Sequence, residues 1–170
     1  MSSPVATALH PCARCARMQE TCCQRAEVYV TLGDVARIAE HSGRSDFHER
    51  RSPADSEYLD DDEDDPIWRR ATVASDGTRR VLRRKANGDC TFLGEAGCVL
   101  PEGVRPLVCR LYPYDYTESG MKGETAGYCP REELAPPGGS MIRLLGIGLS
   151  DAERWRRELY RELRSEVAGS

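Results

Sequence analysis

No apolar run in this 170-residue chain approaches the roughly 18 residues that a membrane span requires. The longest apolar patch, Met141 to Leu149, is broken by Arg143, Gly146 and Gly148. Met1 to Leu9 has neither a basic start nor an apolar stretch of signal-peptide length, so a cytoplasmic location without membrane contact is expected. The sequence also lacks a glycine-rich cofactor loop and any Ser/His/Asp or Cys/His grouping, so no catalytic residue is assigned. Histidine is scarce and scattered: His10, His41 and His48 read as surface residues, and only His10, two residues before Cys12, is placed to substitute as a ligand. Lysine is nearly absent, with Lys85 and Lys122 the only lysines among 24 basic residues. The formal charge of −4 excludes a chain that is basic overall, so nucleic acid is not an expected partner. The basic run Arg79, Arg80, Arg83, Arg84, Lys85 reads as a solvated strand face.

Cysteine is what the chain does have. Cys12, Cys15, Cys22 and Cys23 form Cys-x2-Cys-x6-Cys-Cys near the N-terminus, and Cys90, Cys98, Cys109 and Cys129 punctuate a later segment. A Cys-x2-Cys turn aims two sulfurs at one point, the arrangement that tetrahedral metal sites use. In a reducing compartment such clusters are metal sites more often than disulfides. Cysteine content is about half of the ~8–10% expected of a small secreted disulfide scaffold. Neighbouring Cys22 and Cys23 cannot bridge each other without strain. Metal is therefore favoured over structural disulfides.

The remaining pattern predicts a small α+β domain. Glu27 to Val30 reads as a short strand. Thr31 with Asp34 forms a capping box, Val35, Ile38 and Ala39 follow at helical spacing, and Gly43 is a stop signal. Phe47 to Glu49 suggests one more helical turn ended by Pro53. The six carboxylates from Asp60 to Asp65 repel one another and are expected in an exposed loop. Asp76-Gly77 between Ala71–Ala74 and Arg79–Arg83 predicts a hairpin. Residues 88 to 130, dense in glycine and proline, read as a loop-rich lobe that a metal crosslink would hold. Ser150 and Glu153 form a second capping box, and Ala152, Trp155, Leu159 and Leu163 share one face of a helix of about four turns. Residues 1–134 are expected to form a cysteine-cluster metal-binding domain with an acidic loop at 52–66. Residues 135–170 are expected to form a helical extension packed on that domain.

Cys12-x2-Cys15, Cys22-Cys23, Cys90-Thr-Phe-Leu93, Gly97-Cys98, Arg105-Pro106-x2-Cys109-Arg110-Leu-Tyr-Pro113 and Cys129-Pro130 together resemble the YkgJ family. These are cysteine-cluster proteins of bacteria and other microbes described as zinc- or iron-chelating. The resemblance runs from about residue 12 to residue 130. It departs from the usual Cys-x2-Cys-x2-Cys-Cys by four extra residues between Cys15 and Cys22. It implies metal chelation, with Cys12, Cys15, Cys22, Cys23, Cys90, Cys98, Cys109 and Cys129 as the candidate ligands.

Four thiolates around Zn²⁺ or a [4Fe–4S]²⁺ cluster leave a net charge of −2, so Arg105 and Arg110, flanking Cys109, are candidates to offset it or to donate to sulfur. Both an iron–sulfur cluster and zinc accept this ligand set. Two other classes stay open. The flagellin lysine methylases contain a region similar to this cysteine pattern, which points to a metal-dependent protein-modifying enzyme. A thiol redox switch centred on Cys22-Cys23, near Arg14, Arg17 and Arg25, is the other.

Overall fold

The computed structural model describes residues 10–18, 21–125 and 130–169; Cys129 lies outside the described residues. In chain order the elements are α1 (Pro11–Met18), α2 (Cys22–Arg25), α3 (Leu32–Ser42), β1 (His48–Arg51), a 3-10 turn (Ser56–Leu59), α4 (Pro66–Thr72) and β2 (Arg79–Leu82). Then follow β3 (Leu93–Gly94), β4 (Gly97–Cys98), α5 (Leu107–Leu111), β5 (Tyr114–Thr117), β6 (Gly120–Glu124), α6 (Arg131–Leu134), α7 (Met141–Leu145) and α8 (Leu149–Ala168). The strands form three two-stranded antiparallel sheets, β1-β2, β3-β4 and β5-β6, so the fold is α+β as the sequence pattern predicts. Among the described residues, no helix is long and apolar enough to cross a membrane.

The two helices with strong local signals form where expected. Thr31 caps α3: its Oγ1 accepts from Asp34 N at 2.9 Å, and its own N–H donates to Asp34 Oδ2 at 3.1 Å. Gly43 closes α3 at φ 67°, a left-handed conformation that costs glycine little. α8 buries Ala152, Trp155, Leu159, Tyr160 and Leu163 against Tyr29, Leu107, Leu111 and Tyr114, forming the larger apolar core. It starts at Leu149 with Gly148 as its N-cap and no side-chain cap, so the predicted Ser150 capping box is not what begins it. At 20 residues it is about 30 Å long, longer than the predicted four turns, because packing extends it beyond the local signal. Leu159→Ala, at a fully buried position, is expected to cost about 2–5 kcal/mol, read from the urea midpoint.

Three local readings are corrected by long-range pairing. Phe47 to Glu49 is not a helical turn. Phe47 is fully buried against Phe92, and His48 opens β1, which pairs with β2 in the register His48↔Leu82 to Arg51↔Arg79. The turn at Asp76-Gly77 is present, with Gly77 at φ 78° and Ala74 N donating to Thr78 O at 2.8 Å. Of its first arm, Val73 bridges Arg79 but Ala71 and Thr72 end α4, because Pro66 suits a first helical turn and Ile67, Trp68 and Ala71 pack on the core beneath α8. Glu27 to Val30 makes a single bridge, Tyr29↔Val81, rather than a full strand.

Two charged segments also differ from expectation. Asp60 to Asp64 are exposed, but Asp65 is 5% exposed and accepts from the Tyr160 hydroxyl. Burial raises its pKa, against the pull of that hydroxyl. The basic run is a solvated face only at Arg83 and Lys85, which are exposed. Arg79 is 1% exposed, pairs with Glu27 at 3.3 Å and lies 3.8 Å above the Tyr58 ring. Arg80 pairs with Glu166 at 2.9 Å. β-strand alternation cannot foretell these partners, because they come from other elements.

Candidate metal centre

The cysteines sit on very short elements, and short elements need outside partners. Cys22 and Cys23 occupy α2, Cys98 ends β4, Cys109 lies on α5, and Cys90 follows the Asn87-Gly88 turn. Cys90 N–H donates to the Cys23 carbonyl at 2.8 Å, joining the two sequence clusters directly. Cys90 belongs to the second apolar core, with Val30, Ile38, Phe47, Leu82, Phe92 and Leu100, and Cys23 and Cys98 pack against it. Gly97, at φ 105°, lets the β3-β4 hairpin turn so that Cys98 lies opposite Leu93. α1 covers this hairpin, since a Cβ at Gly97 would stand 4.0 Å from Cys12 Cβ.

Electrostatics reports the same grouping. Burial pushes the Cys109 thiol well up, and Cys23, Cys90 and Cys98 each push it further as would-be thiolates. Burial likewise raises Cys90 to about 11, with Cys23 and Cys98 adding to it. Cys98 is raised by burial, against the Leu100 N–H and the neighbouring Arg105 guanidinium. The vicinal pair divides. The hydrogen bond between the two thiols raises Cys22 and lowers Cys23 to about 7, burial opposes that lowering, and Arg105 and Arg84 reinforce it. Cys22, Cys23, Cys90, Cys98 and Cys109 are unbridged thiols.

The other N-terminal cysteines lie to either side of this group. Cys12 is exposed and close enough to raise Cys22. Cys15 is buried with Leu134 and Met141 in a third apolar cluster. His10 Nδ1 accepts from Cys12 N at 3.2 Å, while His41 lies in the last turn of α3 and His48 starts β1.

The two candidate arginines are used differently. Arg105 donates its Nε to Leu100 O at 2.9 Å and acts on Cys23 and Cys98. Arg110 is buried and donates to the carbonyls of Arg105 and Gly103, both at 2.7 Å, bracing the loop that leads into α5. Two further residues support the thiols, Asp34 and Arg84, which the sequence marks only as a capping-box residue and as part of the basic run. Asp34, fully buried, accepts from Leu107 N at 3.1 Å, two residues before Cys109. Arg84 bonds the carbonyls behind Cys23. Neither had a local signal for this role, since their partners are dozens of residues away.

Soft thiols at the edge of an apolar core, with two guanidinium groups beside them, suit zinc or iron and not the hard cations that take oxygen ligands. Among the described residues, no three His, Cys, Asp or Glu side chains are grouped so that they could hold a metal ion. The thiol donors fit these metals in chemistry. The cavity of about 510 Å³ is elsewhere: Tyr29, Arg50, Arg70, Thr72, Arg80 and Glu166 line it, with no cysteine.

Comparison with known proteins agrees with this chemistry. Residues 11–130 match the model of the CxxCxxCC family, described as "Putative zinc- or iron-chelating domain". No curated protein and no solved structure matches the chain. The chain belongs to the CxxCxxCC family.

Proposed function

We propose that this member of the zinc- or iron-chelating family holds iron, as an iron–sulfur cluster, or zinc through its clustered cysteine thiolates. In this reading Cys23, Cys90, Cys98 and Cys109 are the inner candidate ligands and Cys22, Cys12 and Cys15 further ones; Cys129, a candidate from the sequence, lies outside the described residues. The observation that carries this reading is the packing of Cys23 and Cys98 against the apolar core that holds Cys90, with the Cys90 N–H on the Cys23 carbonyl. Such a centre supplies a crosslink between loops, or electron transfer if it is iron–sulfur. Arg105 sits where it offsets thiolate charge, and Arg110 holds the backbone that carries it. In this reading residues 1–134 carry the centre, and residues 135–170 are a helical extension packed on the same domain. A cytoplasmic location suits it, because thiol ligands must stay reduced.

The deciding experiment is metal analysis with a visible spectrum, on protein purified without oxygen or a metal-binding tag. A brown protein with iron and acid-labile sulfide in near-equal amounts establishes an iron–sulfur centre, and a colourless one with bound zinc a zinc site. Protein without metal and with thiols oxidised in pairs would overturn the reading and favour the thiol switch, for which Cys23 at about 7 is the supporting observation.

Opposite pH responses are expected of the two forms. Metal binding displaces thiol protons, so the loaded form loses metal as the pH falls. In metal-free protein Cys90 is raised from 9.0 to about 11, which favours its protonated form in the fold. That contribution is full below pH 9 and is lost as pH rises toward 11. Denaturation midpoints across pH, with and without chelator, test both signs.

A further inference from the structure

Four backbone carbonyls converge on one side chain, that of Arg84. Its Nη1 donates to the carbonyls of Gln24 at 2.8 Å, Gly88 at 2.7 Å and Cys23 at 3.5 Å, and its Nη2 donates to that of Ala26. Three of these carbonyls belong to the C-terminal end of α2 and its cap, and the fourth to the turn before Cys90. A four-residue helix has almost no internal hydrogen bonds, so the carbonyls at its end need donors from elsewhere. A cation there also meets the negative end of the aligned peptide dipoles.

The rest of the joint is built around the same residue. Arg84 pairs with Cys90 through an isolated antiparallel bridge. Cys90 N–H reaches the Cys23 carbonyl at 2.8 Å, and Gln24 Nε2 reaches Asp89 Oδ1 at 3.0 Å. These bonds join the N-terminal cysteine cluster to the later one. Arg84 touches both sides with its charged group.

We infer that Arg84 is a positioning residue for the metal centre: its guanidinium holds the Cys22-Cys23 turn against Cys90, so that sulfurs from both clusters keep one geometry. This rests on the reading that these cysteines bind metal. Arg84 acts through backbone carbonyls and is not itself a ligand. Lysine would carry the same charge, yet one ammonium cannot span carbonyls that the planar fork reaches from two nitrogens. Arg84→Lys therefore separates geometry from charge.

The test compares metal release to a chelator from loaded wild-type protein, Arg84→Lys and Arg84→Met. Release from Arg84→Lys is expected to be about 10–100-fold faster, the usual scale for losing a residue that orients ligands. Millimolar guanidinium should slow release from Arg84→Met, and ammonium should not. A second readout needs no metal: amide exchange at Cys90 in metal-free protein is expected to rise about tenfold in Arg84→Lys, with α8 amides unchanged. Wild-type values for both release and Cys90 exchange in Arg84→Lys would overturn the inference. So would faster exchange spread equally over α8, which marks a general loss of stability. If wild-type protein binds no metal, the metal-binding reading fails separately. The selective rise at Cys90 then still supports Arg84 as the residue that positions the two thiol segments, and its absence removes that role.

Discussion

Cys109→Ser is expected to lose metal and solubility together. Cys109 lies on a five-residue helix whose N-terminal N–H, at Leu107, is held by Asp34, and three other thiols act on it. Serine is similar in size but offers a hard oxygen that is poorly ionised near neutral pH, where zinc and iron–sulfur centres favour thiolate. Structural zinc can contribute about 10–16 kcal/mol of apparent folding free energy, which exceeds the whole stability of many small domains. The glycine- and proline-rich segment around α5, β3 and β4 has little regular structure of its own, so it depends on that crosslink. Metal content per chain and soluble yield, measured on one preparation, check this. Full retention of both would remove Cys109 from the ligand set.

Asp34→Ala is expected to cost several kcal/mol, at about 1–3 kcal/mol for each of the two buried N–H groups left without an acceptor. The Asp34 carboxylate is fully buried and accepts from Thr31 N at 3.1 Å, Leu107 N at 3.1 Å and Arg37 Nη2 at 2.7 Å. Alanine leaves two buried N–H groups and a guanidinium short of an acceptor. Arg37 keeps Glu162 at 2.6 Å and Glu158 at 3.3 Å, so its charge is not stranded, and most of the loss falls on α3 and α5. Burial raises the Asp34 pKa, while Arg37 and the Thr31 N–H pull it down. Because burial already disfavours the charge, Asp34→Asn, which keeps an acceptor, should cost clearly less than alanine. Urea denaturation of the metal-free variants gives both numbers. Equal losses for Asn and Ala would show that the charge, and not the acceptor, holds the joint.

Asp34 also illustrates how far sequence reasoning reached. As the third residue of a capping box it was legible, because Thr31 and Asp34 satisfy each other's backbone within one turn. Its grip on Leu107, 73 residues away, was not. The same division runs through the basic segment. Alternation suggested a strand, and β2 is one, but Arg79 is buried under Tyr58 and Arg84 is turned onto α2. A local pattern reports which face of a strand is apolar. It cannot report that an arginine will be buried when carboxylates, rings and carbonyls from other elements come to meet it.

By itself the sequence determined the metal-binding family, through eight cysteines in a specific order with Arg105-Pro106 and Tyr112-Pro113 around Cys109. It also determined α3, through its capping box and apolar stripe, and α8, through its apolar stripe. Only the tertiary structure decided that Cys22 and Cys23 join Cys90, Cys98 and Cys109, with Cys12 beside them and Cys15 in another apolar cluster. The physical reason is that α2 and α5 are too short to satisfy their own backbone groups. Their orientation, and that of the sulfurs they carry, is set by Arg84 and Asp34 from distant parts of the chain.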